Sequence, residues 1–259
     1  MKNQKIFTIF VTILAAGLLI AACSPQEAPE PATPQAEPPA EQPVEQPTEN
    51  SFNSSALGSC YNPFNPVMEG KVWKYTMVSG DTTSTMDVSY KDVTTSSFTS
   101  VQQFPDISTE VEWTCGPDGL LSSQFANMSI AQIPDLKFET LEMKGVLVPT
   151  EDKWQVGYSW NADYVIKVSF TSGGATFEGQ GNMTIANTVA ALESVTVPSG
   201  TYSDAYRVDI TGNMVMNIMG TETNLPLTYS IWYVKDVGMV KSASADPNLK
   251  YTIELASLE

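Results

Sequence analysis

From Thr176 to Ile185 the chain alternates without a break. Thr176, Glu178, Gln180, Asn182 and Thr184 take one parity, and Phe177, Gly179, Gly181, Met183 and Ile185 the other. A backbone that wets one face and buries the other every two residues is a strand of an antiparallel sheet with one covered side. The same period runs through Tyr164, Ile166, Val168 and Phe170. It recurs in Val111, Trp113 and Cys115, which oppose Glu110, Glu112 and Thr114. Ser172-Gly173-Gly174 separates the first two runs, and its glycines admit the positive φ of a tight hairpin. Further strands are predicted at 71–78, 85–93, 205–219, 225–234 and 249–257. The one helical suggestion is a short turn from Asn187 to Leu192. These signals predict a mainly β protein: a curved antiparallel sheet or partial barrel with little helix. Gly179 and Gly181 leave a gap on one strand face. Either the strand bends sharply there or the gap receives a ring such as Phe177 or a tryptophan.

Gly70-Lys71-Val72-Trp73 and Gly157-Tyr158-Ser159-Trp160 both open aromatic-rich strands. This faint echo suggests a duplicated β unit with halves at 60–145 and 150–259, joined through Pro134 to Asp152.

The first residues belong to a different kind of segment. Lys2 and Lys5 precede an apolar stretch from Ile6 to Ile20, the length of a signal-peptide core and too short to span a bilayer. Ile20-Ala21-Ala22-Cys23 follows, small residues before a cysteine whose thiol can take a diacylglyceryl group. Residues 1–22 are read as a lipoprotein signal and Cys23 as the lipidation site. Several acyl chains on one cysteine anchor a protein stably, at about 0.8 kcal/mol per buried methylene. Residues 24–50 hold eight prolines, six glutamates and neither basic nor aromatic side chains. Such a run cannot form a core, so 23–50 is the lipidated end of an extended, solvated tether. Residues 51–259 are left as the β-rich extracytoplasmic domain.

Composition removes whole classes of chemistry. There is no histidine, which eliminates imidazole acid/base catalysis, Ser-His-Asp and Cys-His systems and the usual zinc sites. The net charge of −16 disfavours nucleic acid as a partner. With Cys23 acylated, Cys60 and Cys115 remain, and in an oxidising compartment they are expected to form one disulfide.

The remaining candidates are weak. Glu110 and Glu112 share a strand face as a hydrolase pair would, but that face is the solvated one. Asp246-Pro247-Asn248 offers oxygens without the acidic spacing of a calcium loop. Met214 and Met216 share a face with Ile218 and could hold copper(I) or a soft ligand, although without Met-x-x-Met spacing flexible core packing is the stronger reading. No metal or cofactor is expected. Trp232 falls on the parity opposite Leu225, Leu227, Tyr229, Ile231 and Tyr233. Unless a second layer covers it, it could stack on a sugar or line an apolar groove. Trp73, Trp113 and Trp160 read as core anchors.

Three stretches carry a family resemblance. Val195-Thr196-Val197-Pro198-Ser199-Gly200-Thr201-Tyr202, then Ala205-Tyr206-Arg207-Val208, then Trp232-Tyr233-Val234-Lys235-Asp236-Val237-Gly238-Met239-Val240-Lys241 resemble bacterial envelope lipoproteins marked by a VPAGTF…WYAKGVGLVK pattern. Asn65-Pro66 and Gly70-Lys71-Val72-Trp73-Lys74-Tyr75 are similar to their YPLKVGNTWTY opening. Ser199 and Val234 stand where alanine is usual. The resemblance implies a curved antiparallel sheet, similar in architecture to LolA/LolB-like half-barrel domains of unknown function, and no particular activity. Pro198 and Gly200 also have a physical reading of their own as a strand-turn-strand junction.

Taken together, these features predict a lipoprotein anchored by its N-terminal lipid to the cell membrane or outer membrane, facing away from the cytoplasm. It is expected not to be an enzyme, and to bind or carry an apolar ligand in its curved β domain. The alternative is a surface module that recognises glycans or a partner protein through exposed aromatics.

Overall fold

The computed structural model describes residues 57–123, 136–172, 175–218, 220–244, 246 and 250–259. Cys23 and the tether lie outside them. Thirteen strands are described: β1 Trp73–Ser79, β2 Thr82–Lys91, β3 Ser97–Gln103, β4 Ser108–Gly116, β5 Gly119–Ser122, β6 Leu136–Gly145, β7 Val148–Pro149, β8 Ser159–Ser172, β9 Ala175–Val197, β10 Gly200–Ile218, β11 Thr221–Val234, β12 Gly238–Ser244 and β13 Tyr251–Leu258. Two short 3-10 turns, Gly58–Cys60 and Glu151–Lys153, complete the ordered elements described.

All thirteen strands form one antiparallel sheet in the order β6-β8-β9-β10-β11-β12-β13-β1-β2-β3-β4-β5-β7. The predicted fold class holds. The chain starts in the middle of the sheet at β1, walks to one edge through β5, and returns from the other edge to pair β13 with β1. The sheet is open, with no closed barrel, yet its two edge strands β6 and β7 are consecutive in sequence. One short connection therefore ties the edges together. Val146 N–H donates to Asn161 O of β8 (3.0 Å) and Leu147 N–H to Leu120 O of β5 (2.9 Å). Gly145 and Gly119 flank this clasp with φ of 89° and 138°, and a Cβ on either would collide with Asn161 O or Val148 O.

Two local expectations need correction. Asn187 to Leu192 is not helical but part of β9, paired with β10 except at Ala190 and with β8 as far as Thr188. Ala190 drops out of the pairing between Val189↔Val208 and Ala191↔Arg207, a bulge that interrupts the strand period. Ladder bonds to β10 on either side of the bulge, with Val189 also bonded to Gly157 and Tyr158, outweigh the helix preference of an alanine pair. The gap at Gly181 is filled by neither an aromatic ring nor empty space. The Met216 side chain lies against it, its Cγ 3.0 Å from where a Cβ would sit.

Two apolar clusters cover the inner face. One gathers Phe64, Phe98, Trp113, Leu120, Trp154, Tyr164 and Ile185 among others; the second is built on Trp73, Tyr75, Met86, Val240, Ile253 and Leu255. The segment before β1 is sewn onto the sheet. Cys60 is disulfide-bonded to Cys115, with Cα atoms 5.0 Å apart. Asn62 Nδ2 donates to Pro149 O (2.9 Å), and Asp236 N–H donates to Pro63 O (2.7 Å).

Candidate functional site

A partly enclosed cavity of about 110 Å³ lies in the interior, lined by β1 to β4, β9 to β13, Leu147 with β7, and the Asn65-Pro66 segment. The topology creates it, because strands distant in sequence face one another across the curve. No lining residue is Lys, Arg, Asp or Glu.

Part of the polar lining is internally satisfied. Trp73 Nε1 donates to Val237 O (2.8 Å), Tyr75 OH to Met239 O (2.9 Å) and Trp113 Nε1 to Ser100 Oγ (3.0 Å); Ser242 Oγ and Tyr251 OH are 3.1 Å apart. Asn187 Nδ2 donates to Trp160 O (3.4 Å). Asn65 Nδ2 is buried and meets no acceptor in full hydrogen-bond geometry, although its side chain lies against the Tyr90 hydroxyl. Gln102 is 6% exposed, and its amide makes no side-chain hydrogen bond among the described residues. The same holds for the Tyr229 and Tyr233 hydroxyls.

Burial sets the electrostatics. Tyr75, Tyr90, Tyr229 and Tyr233 have their pKa values raised, first by desolvation and then by neighbouring tyrosines. Asn65 opposes part of the rise at Tyr90. These phenols stay neutral at physiological pH, so they donate hydrogen bonds and do not act as bases. The arrangement can orient a guest and has no charged group with which to react with it.

The volume bears directly on the apolar-carrier expectation. Sites for drug-sized ligands run to roughly 300–1,000 Å³, so a cavity of about 110 Å³ is small for a whole lipid molecule.

The residues singled out from sequence fall elsewhere. Met214 and Met216 are buried in the first cluster, Met214 paired across the ladder with Met183. Trp232 is half-buried and packs against the second apolar cluster. Its Nε1 donates to Glu193 Oε1 (2.8 Å), and Lys241 Nζ sits 5.7 Å from its ring centroid. Arg207, cross-strand from Trp232, binds the same Glu193 at 3.3 Å. Both the polar edge and the face of this indole are thus engaged by protein groups. Glu110 and Glu112 are exposed, Glu110 paired with Lys91 at 2.6 Å. A second recess beside Tyr61, Pro63, Thr150, Glu151 and Asp152 is broad and open, its acids paired with Lys235 and Lys153. Asp246 N–H caps back onto Ser244 Oγ (3.2 Å), while Pro247 and Asn248 lie outside the described residues.

Sequence reading missed the cavity's polar groups, although a signal was present. Ser100 and Gln102 share the buried parity of β3 with Phe98 and Phe104, and Asn187 sits between Ile185 and Val189 on the buried parity of β9. A polar side chain on the apolar parity marks an interior that is not wholly greasy.

The DUF3108-like family matches residues 68–252, most of the chain. This protein belongs to the DUF3108-like family. No curated protein is similar enough to count as a relative. Among solved structures, this DUF3108-like chain is similar to a protein from Parabacteroides distasonis described as a lipoprotein. That match has 17% identity and a TM-score of 0.50, covering 76% of this chain and 99% of the other. A protein from Bacteroides fragilis, described as exported and as having a YmcC-like fold, matches at 13% identity and a TM-score of 0.45, over 77% and 100% of the two chains. The first match places the DUF3108-like fold of this chain beside a crystallographically known one.

Proposed function

We propose that this DUF3108-like protein is an extracytoplasmic lipoprotein, anchored through Cys23, that binds a ligand inside its curved sheet and performs no chemistry on it. The observation that carries the binding role is the uncharged cavity, into which Gln102, Tyr229 and Tyr233 bring polar groups with no hydrogen bond from the protein's own side chains. Polar groups in an interior take partners, and a guest in the cavity supplies them. The extracytoplasmic address draws support from the Ala21-Ala22-Cys23 pattern, the Cys60–Cys115 disulfide and the lipoprotein description of the P. distasonis protein with the same fold.

Two measurements test this reading. Fractionation of Cys23→Ala cells should move the protein from the membrane to the soluble extracytoplasmic fraction; retention in the membrane would refute the anchor. A high-resolution crystal structure of protein isolated from its own envelope should show a guest hydrogen-bonded to Gln102 and Tyr233. A cavity collapsed onto its own side chains would refute the binding role.

A further inference from the structure

We propose that the guest is a small neutral molecule rich in hydroxyl or carbonyl oxygens; this inference rests on the reading above that the interior of the sheet is a binding site. Three properties of the cavity converge on that chemistry.

Size comes first. About 110 Å³ is room for several waters or for one small molecule. Charge comes second. No Lys, Arg, Asp or Glu side chain lines the walls, and the phenols are held neutral by burial, so an ion entering would lose its hydration with no counter-charge in return. Polarity comes third. The Tyr229 and Tyr233 hydroxyls and the Gln102 amide offer both donors and acceptors, so the guest must carry hydrogen-bonding groups of its own. An apolar guest would leave every one of them unpaired. A quaternary ammonium would suit the rings of Trp73, Tyr75 and Tyr90 but would set amide donors against a cation. A polyol satisfies the donors with its oxygens and lays its C–H faces against the aromatic walls.

The test uses the full-length protein in detergent with ¹³C-labelled tyrosine, titrated separately with erythritol, hexan-1-ol and tetramethylammonium and followed by NMR. Erythritol is expected to give saturable shifts at Tyr229 and Tyr233, with hexan-1-ol and tetramethylammonium giving none. Affinity should fall about tenfold in Gln102→Leu and in Tyr233→Phe. Tyr233→Phe retains the ring that packs edge-on against Trp154 at 5.1 Å, and Tyr229→Phe is a second variant that preserves ring packing. Saturation by hexan-1-ol or tetramethylammonium without erythritol would overturn the ligand class and leave the binding site standing. Saturation by none of the three would overturn both, with the cavity holding water alone. Erythritol binding unchanged in all three variants would place its site elsewhere and overturn the assignment.

Discussion

Phe64 stacks on Trp154, ring centroids 4.0 Å apart and planes 22° from parallel. Trp154 in turn meets Tyr206 at 5.7 Å and Tyr233 at 5.1 Å. The segment before β1 is thereby wedged into the same aromatic group that reaches the cavity. Phe64 is 3% exposed, so Phe64→Ala should lower the unfolding free energy by about 3–5 kcal/mol, measured by urea denaturation. A loss below about 1 kcal/mol would mean that this segment is not part of the cooperative fold.

The disulfide closes a loop with a sequence separation of 55 between its cysteines. On loop-closure entropy, its removal should cost about 4 kcal/mol at 25 °C. A Cys60→Ser/Cys115→Ser double variant tests this in denaturant melts, and an unchanged midpoint would contradict the cross-link as a source of stability.

Gly145 and Gly119 are where the two sheet edges meet, and each combines positive φ with a backbone carbonyl where Cβ would go. Gly157 has a φ of 94° but open space around it. Gly157→Ala should therefore cost about 1–2 kcal/mol from backbone strain alone. Gly145→Ala and Gly119→Ala should each cost about 1–3 kcal/mol more from the added clash. Thermal melts of the three variants give the ranking; equal losses would show that the clasp tolerates a wider approach.

Buried tyrosines set the alkaline limit. Tyr75, Tyr90, Tyr229 and Tyr233 have raised pKa values in the fold, whereas in the unfolded chain they ionise near 10. Below about pH 10 both states hold the phenolic protons, and this contribution to stability is fully present. Above it the unfolded chain loses protons that the native state keeps. Stability then falls by up to about 1.4 kcal/mol per pH unit for each such tyrosine as pH rises toward the folded values. Absorbance at 295 nm should show these tyrosines ionising together with loss of the near-ultraviolet circular dichroism signal. Their titration before unfolding would contradict their burial.

Much of the sheet was legible in sequence, because one-sided burial forces a period of two and the Ser172-Gly173-Gly174 turn separates two such runs. What was not legible depended on contacts between distant segments. Ala190 looks helical until the pairing of Val189 and Ala191 with β10 holds the chain extended around it. Trp154 has no periodic neighbours and finds its place only when Phe64 arrives. Asn65, Gln102, Tyr229 and Tyr233 come from the pre-β1 segment, β3 and β11, so no local motif could unite them; only the return of β13 to β1 does so. Trp232, which parity set apart from its neighbours, turned out to be tied to Glu193 and Lys241.

The interior of the sheet, on the proposal above, accepts a small oxygen-rich guest in preference to lipid. Mass spectrometry of the protein purified from its own membranes, with non-covalent species released by denaturation, tests it most directly. The account predicts acyl chains only in covalent linkage at Cys23, and a small neutral guest among the released molecules. A stoichiometric, non-covalently bound lipid would contradict it.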